Sequence, residues 1–191
     1  MAILIFALVK KGPGSSADAL YKGPGETNLD LDSPENTLFL DLNDGRVVIQ
    51  MRPDLAPFHV ARIKKLVRQK YYDGLNFHRV IEDFMAQGGD PMGNGTGGSG
   101  VNIGAEFSKE KFVRGVVGMA RNENDNGADS QFFIMLGDAR WLDNQYTVWG
   151  IVSDGMDFVD GIKIIDSSTV GTREYNPDKI VRMQIAADVT E

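Results

Sequence analysis

The chain has 191 residues, of which 42% are hydrophobic and 25% charged, and this length and composition are typical of one soluble globular domain. Twenty lysines and arginines against 27 aspartates and glutamates give a net charge of −7, which argues against nucleic acid as a partner, because phosphate backbones attract basic surfaces. The complete absence of cysteine excludes disulfides, thiol nucleophiles and cysteine-ligated metals, whereas the 22 glycines indicate many tight turns.

The first 35 residues are interpreted as a loop-like N-terminal extension, or a weak signal or strand, ahead of a domain at residues 36–191. The apolar run at residues 3–9 is too short to span a bilayer, so no membrane partner is expected. As a secretory signal it is weak, because Lys10 and Lys11 follow the apolar run instead of preceding it. We therefore expect a cytoplasmic protein, with a periplasmic location as the alternative if the run acts as a signal.

Short strands dominate the domain. Residues 38–42 and 47–51 flank Asn43-Asp44-Gly45, a hairpin-turn signal, and further strands are predicted at residues 76–81, 84–86, 113–120, 131–136, 147–152 and 180–189. Helical spacing of apolar residues predicts one helix from Pro57 and a second at residues 156–165. This pattern predicts a mainly β fold, a closed eight-stranded antiparallel β-barrel capped by two α-helices. Side chains would fill its interior, so a ligand would bind on the outer surface.

Several motifs resemble known sites but lack the context those sites need. Residues 93–98 match the G-x-G-x-x-G fingerprint, yet no helical periodicity follows, so a glycine-rich surface loop is the better interpretation. Residues 122–127 imitate a calcium loop, but Phe133 stands where a bidentate glutamate belongs, and a polar turn is expected instead. His59 and His78 lie in different elements without further ligands. We therefore expect no metal and no cofactor.

The informative segment is residues 77–90, which read FHRVIEDFMAQGGD. On an extended strand Phe77, Arg79 and Ile81 would share one face. If Phe84, Met85 and Gln87 border the same surface, the Arg79 guanidinium would lie beside an apolar floor and an amide. This segment, together with GTGG at 95–98, SQFFI at 130–134 and WLD at 141–143, resembles the cyclophilins, the family of peptidyl-prolyl cis-trans isomerases. The resemblance covers residues 36–188 and rests on several independent motifs.

The resemblance implies a role for each matching residue. The catalytic group would be Arg79, and Gln87 would bind the substrate backbone. The proline pocket would consist of Phe84, Met85, Phe133 and Leu142, with Ile81 and Gln131 as neighbouring wall positions. The peptide would further contact Ala120, Arg121, the indole of Trp141 at the rim, and Tyr146, which stands where many members have histidine.

The reaction that the resemblance implies is the rotation of Xaa-Pro bonds in peptides and unfolded chains, which assists protein folding. It needs no covalent intermediate, in agreement with the absence of cysteine. Trp141 resembles the residue of cyclosporin-sensitive members, so cyclosporin is expected as a further ligand. Two alternatives stay open at this point: a module that binds proline-containing segments without isomerising them, and, less favoured, a lipocalin-like barrel that holds a small molecule. Without heptads or an extended apolar patch, the chain is expected to be a monomer.

Overall fold

The computed structural model describes residues 30–165, 168 and 170–189. The predicted N-terminal extension therefore lies mostly outside the described residues. The part that is described contacts the domain, because the amide of Gln50 donates to the backbone carbonyls of Leu31 and Asn36. A short 3-10 turn, Pro34–Asn36, precedes the first strand.

Eight antiparallel strands form one sheet. The strands are β1 Thr37–Asp41, β2 Arg46–Met51, β3 Arg79–Ile81, β4 Met85–Gly88, β5 Val116–Met119, β6 Phe132–Met135, β7 Val148–Asp154 and β8 Arg182–Ile185. Their order across the sheet is β3-β4-β6-β5-β7-β2-β1-β8. The α-helices are α1, Pro57–Arg68, and α2, Met156–Asp160. The second helix is shorter than predicted, because the chain leaves the helix at Gly161.

The prediction of a closed barrel is wrong: the sheet curls into an open half-barrel. The two outermost strands, β3 and β8, do not pair with each other. At the seam between them the irregular segments 74–77 and 178–180 meet instead, through the isolated bridge of Asn76 with Lys179 and a pair of backbone hydrogen bonds that joins Ile180 to Gly74 and Leu75. Strands of three and four residues are too short to extend a continuous ladder across this seam.

Each outer strand is nevertheless covered. The amide and carbonyl of Val80 in β3 pair with the backbone of Ile165, and the amide of Met183 in β8 donates to the carboxylate of Asp73. Unpaired backbone groups on an edge strand recruit other chains, so these contacts protect the sheet from edge-to-edge association.

Alternation along the strands divides the apolar residues between two faces. In β6, Phe132 and Ile134 enter the main core inside the curl, whereas Phe133 and Met135 enter a smaller cluster on the outer face. Inside, the Phe132 ring makes edge-to-face contacts with three other aromatic side chains: Tyr72, Phe77 and Trp149. The interior is therefore filled with side chains, and the smaller cluster supports the outer surface.

The predicted common face of Phe77, Arg79 and Ile81 is not observed. Phe77 is fully buried in the main core together with Val80, while Ile81 is 38% exposed. The regular strand begins only at Arg79, so the period-two alternation does not extend back to Phe77. Within the described part of the chain, no helix has the length and apolar character needed to cross a membrane.

Candidate active site

A pocket of about 160 Å³ lies on the outer face of the sheet above the smaller cluster. Nine residues line it, and each was singled out in the sequence: Arg79, Phe84, Met85, Gln87, Ala120, Arg121, Phe133, Leu142 and Tyr146. They come from β3, the turn before β4, β4 itself, the segment after β5, β6 and the segment before β7, and the curl of the sheet brings them together. The three remaining predicted residues, Ile81, Gln131 and Trp141, lie outside this lining.

The floor of the pocket is apolar and closely packed. The Phe133 ring stacks on Phe112 with centroids 5.8 Å apart and meets Tyr146 edge-on at 5.7 Å. Behind it lies Gly118, where an added Cβ would be only 2.5 Å from Cζ of Phe133 and 2.7 Å from Cε1 of Phe112. Sequence reasoning missed Phe112 and Gly118. A glycine inside a strand is a signal for such a close approach.

The polar wall of the pocket is a series of hydrogen-bonded side chains. Arg79 and Gln87 are direct partners in the β3–β4 register, and Nη1 of Arg79 donates to Oε1 of Gln87 over 3.4 Å. Nε2 of Gln87 donates to Oε1 of Gln131 at 2.9 Å. Nε2 of Gln131 in turn donates to the backbone carbonyls of Gly95 and Gly97 at 3.0 and 2.8 Å. Gln131 thus fixes the orientation of the Gln87 amide. Ile81 lies on β3 opposite Met85, one of the residues that line the pocket.

The glycine-rich segment 93–98 is a loop anchored by a buried carboxylate, and no helix follows it. Asp90 accepts hydrogen bonds from the backbone amides of Met92, Asn94 and Gly95, at 2.8, 3.0 and 2.6 Å. These bonds fold the loop so that its carbonyls face Gln131. The interpretation as a structural glycine loop agrees with this geometry.

A second, polar cavity of about 260 Å³ adjoins the pocket. It shares Gln87, Ala120 and Arg121 with the pocket, and its other lining residues are Gly95, Thr96, Gly97, Gly98, Asn102, Asn122, Gly127, Asp129 and Gln131. The carboxylate of Asp129 accepts the hydroxyl of Ser99 and, at 2.8 Å, the amide of Gly100. Sequence reasoning missed this cavity, because two loops that are distant in the chain, β4–β5 and β5–β6, form it together with Gln87.

Arg121 stands at the border between the pocket and the cavity. Its Nε donates to the carbonyl of Gln145 at 3.0 Å, its guanidinium lies 4.9 Å from the centre of the Tyr146 ring, and it pairs with Asp125 at 3.3 Å. The following asparagines cap backbone amides within the loop, since Asn122 accepts from Asn124. The segment is therefore the polar turn that was predicted, and no carboxylate or histidine group suited to a metal occurs among the residues described.

Trp141 lies beside the pocket, against Phe84. It is 64% exposed, and its ring centre lies 5.7 Å from that of Phe84. It belongs to a 3-10 turn, Arg140–Leu142, whose end is held by Asp143. The amide of Phe112 donates to Asp143 at 2.9 Å, and this bond, together with Arg140 and Lys111, lowers the pKa of Asp143 to about 2.

Neither histidine reaches the pocket. His59 is fully buried at the start of α1, with Nδ1 2.6 Å from the Glu106 carboxylate, which also accepts the amides of Phe58 and His59. This carboxylate caps a helix whose own N-cap, Ala56, has no polar side chain. His78 is buried beside Arg79, and burial lowers its pKa below the ordinary value.

Residues 37–185 match the family model described as cyclophilin type peptidyl-prolyl cis-trans isomerase/CLD. The chain is 55% identical over 167 residues to a probable peptidyl-prolyl cis-trans isomerase of Brucella suis, covering 81% of this chain and 85% of that protein. It is 35% identical over 138 residues to the human peptidyl-prolyl cis-trans isomerase-like 1, covering 69% of this chain and 82% of the human protein.

Solved structures agree with the sequence comparisons. The crystal structure of the cyclophilin AquaCyp293 from Hirschia baltica is 27% identical, with a TM-score of 0.72, over 83% of this chain and 76% of that one. A cyclophilin type isomerase of Cryptosporidium parvum, crystallised in the presence of the dipeptide Ala-Pro, is 25% identical with a TM-score of 0.68, over 78% and 98% of the two chains. The chain therefore belongs to the cyclophilin-type peptidyl-prolyl cis-trans isomerases.

Proposed function

We propose that this cyclophilin catalyses rotation about Xaa-Pro bonds, that Arg79 is the catalytic group, and that the apolar pocket binds the proline ring. The observation that carries the proposal is the position of Arg79, half-buried in the wall of a pocket whose floor is Phe133 and Met85. Its guanidinium donates to Gln87 over a long 3.4 Å, so this contact leaves donor capacity for a substrate.

The chemistry follows from the electronic structure of the peptide bond. The partial double bond creates a barrier of roughly 18–20 kcal/mol, which makes uncatalysed X-Pro exchange take tens to hundreds of seconds. Twisting the bond ends the resonance and returns a lone pair to the proline nitrogen. A guanidinium that donates to this nitrogen only in the twisted state binds the transition state better than either planar state, and such differential binding raises the rate. Arginine suits this role because it stays charged.

The two halves of the substrate must be held separately while the bond turns. The apolar floor would hold the pyrrolidine ring. Nε2 of Gln87 carries two hydrogens, of which Gln131 takes one, so the other can donate to a substrate carbonyl. Ala120 and Arg121 line both the pocket and the polar cavity, which suits them to contact the chain that precedes the proline. Phe84, Leu142, Trp141 and Tyr146 would close the other sides.

A protease-coupled assay on a short Xaa-Pro peptide tests the role of Arg79. Removal of one donor that serves only the transition state costs roughly 100- to 1000-fold in rate, so we expect Arg79→Ala to lower kcat/KM by about this factor. The matched control is Arg140→Ala, which removes an arginine that pairs with Asp143 outside the pocket lining. An Arg79→Ala variant as fast as the parent would refute the assignment.

A second proposed activity is that of a chaperone, which binds unfolded chains. The exposed Trp141 beside an apolar pocket and a polar cavity offers mixed contacts to an extended chain. NMR of a proline peptide separates the two activities, because exchange between cis and trans signals reports isomerisation and line broadening alone reports binding. Binding without faster exchange would leave only the chaperone function.

Cyclosporin is proposed as a further ligand of the same pocket, on the strength of Trp141. Its indole lies against Phe84 at the rim and is accessible to a large apolar molecule. Isothermal titration tests this proposal: neither heat nor competition with a peptide at micromolar drug would refute it.

We further propose a monomer that works in the cytoplasm without nucleic acid or membrane partners. The covered strand edges at Val80 and Met183 support a monomer, and the net charge of −7 disfavours nucleic acid. The position of Lys10 and Lys11 after the apolar run supports the cytoplasm over the periplasm. Light scattering and cell fractionation test the two statements: a stable dimer or a periplasmic signal would overturn them.

A further inference from the structure

Among the methionines in the part of the chain that the structure describes, one differs from the others in exposure. Met92, at the start of the glycine-rich loop, is 66% exposed. Of the other methionines in the described ranges, Met156 is partly buried, and the rest are at most 2% exposed: Met51, Met85, Met119, Met135 and Met183. Methionine oxidation follows exposure, so an oxidant in solution reaches Met92 before the other methionines of the described ranges.

The thioether of Met92 contacts the loop that borders the polar cavity. The hydroxyl of Thr96 lies 3.7 Å from the Met92 sulfur and donates to Oδ1 of Asn94 at 2.7 Å. Cγ of Met92 lies so close to Gly97 that a Cβ added there would be 2.9 Å from it. The carbonyl of Gly97 accepts a hydrogen bond from the Gln131 amide, which is in turn hydrogen-bonded to Gln87 and, through Gln87, to Arg79. Met92 therefore lies one contact away from the polar wall of the active site without lining it.

We propose that Met92 is a site of oxidation by peroxides, and that its sulfoxide weakens the binding of peptides that extend into the polar cavity. A sulfur lone pair attacks one oxygen of hydrogen peroxide, the O–O bond breaks, an S–O bond forms, and water leaves. Sulfur loses two electrons, and the peroxide gains them. The effect on catalysis rests on the proposed function, whereas the oxidation itself does not.

The sulfoxide changes the hydrogen bonding of the loop. Its oxygen is a far stronger acceptor than a thioether, so it competes with Asn94 for the Thr96 hydroxyl. The added polarity also disturbs the contact with Gly97. Both changes act on the turn whose carbonyls hold Gln131, while Arg79 and the apolar floor keep their own contacts. The expected result is a higher KM with little change in kcat.

The first experiment maps the oxidation. The purified chain is treated with hydrogen peroxide and digested, and the sulfoxide in each peptide is followed by mass spectrometry. Met92 is expected to oxidise first and Met156 more slowly. Oxidation of Met156 or a buried methionine ahead of Met92 would overturn the site, whatever the activity of the protein.

The second experiment measures catalysis after partial oxidation confined to Met92. For a peptide with four residues before the proline we expect KM to rise about 3- to 10-fold, the worth of one neutral hydrogen bond, with kcat unchanged. Met92→Gln should reproduce the rise without peroxide, Met92→Leu should abolish the peroxide response, and Met156→Leu should leave it intact. An unchanged KM in the Met92 sulfoxide would refute the coupling. Loss of activity in the untreated protein would count against the proposed function instead.

Discussion

Gly118 lies behind Phe133, which lines the apolar pocket. A Cβ at this position would lie 2.5 Å from Cζ of Phe133 and 2.7 Å from Cε1 of Phe112. An ordinary contact between carbon atoms requires about 3.5 Å, so Gly118→Ala forces a ring to move by about 1 Å. Because Phe112 is fully buried and stacked on Phe133, the Phe133 ring has room only toward the pocket. We expect the substitution to make the pocket shallower.

The size of the effect can be estimated from the substrate. The proline ring has three CH₂ groups, and each buried CH₂ contributes about 0.8 kcal/mol. Complete exclusion of the ring would therefore cost about 2.4 kcal/mol, which corresponds to roughly a 50-fold loss in kcat/KM. Overpacking also destabilises the fold, typically by about 1–3 kcal/mol.

The protease-coupled assay and urea unfolding separate the two effects. Gly150→Ala is the matched control, because its Cβ would lie 2.8 Å from Ile49 in the main core, away from the pocket. It should lower the free energy of unfolding and leave kcat/KM unchanged. Gly118→Ala combined with Phe133→Leu should recover part of the lost activity. If the folded Gly118→Ala variant retained the parental kcat/KM, Phe133 would not be the floor that substrates contact.

Three further substitutions test other parts of the site. Gln131→Leu should lower kcat/KM about 10-fold with a small change in Tm, because Gln87 loses its orienting partner; equal kinetics in the coupled assay would contradict this. Burial lowers the pKa of His78, so the free energy of unfolding of the parent should fall as the pH drops below 6.5, by at most about 1.4 kcal/mol per pH unit. Urea unfolding between pH 8 and pH 5 should show a smaller fall in this free energy for His78→Phe. Asp143→Ala should have a lower Tm than the parent at pH 7. This difference in Tm should shrink as the pH falls through about 2, because the parent carboxylate then becomes protonated. A difference in Tm that stayed constant with pH would argue against the ion pairs of Asp143.

The sequence predicted elements whose signals are local. Alternating apolar residues and the Asn43-Asp44-Gly45 turn located β1 and β2. These features depend on contacts between residues that are close in the chain. The nine pocket residues were found because the family resemblance supplied the long-range arrangement.

Other features depend on contacts that no local pattern encodes. The open seam results from the meeting of residues 74–77 with residues 178–180. The polar cavity results from two loops, β4–β5 and β5–β6, that meet beside Gln87. Phe77 was assigned to the wrong face because the strand begins two residues later, at Arg79. Gly118 carried a usable signal, a glycine inside an apolar strand, but only the structure reveals the two rings that require it.

The pairing of β1 with β8 has a consequence for how this domain folds. One side of β1 pairs with the nearby β2, whereas Leu38 on its other side pairs with Ile185 of β8, about 147 residues further along the chain. During synthesis β1 is made early and β8 last, and the sheet is completed only when the C-terminal strand has been released. Long-range pairing of this kind slows folding, because the loop entropy is lost before the contacts form. A protein that shortens a slow folding step in other chains thus completes its own sheet late and by a non-local contact.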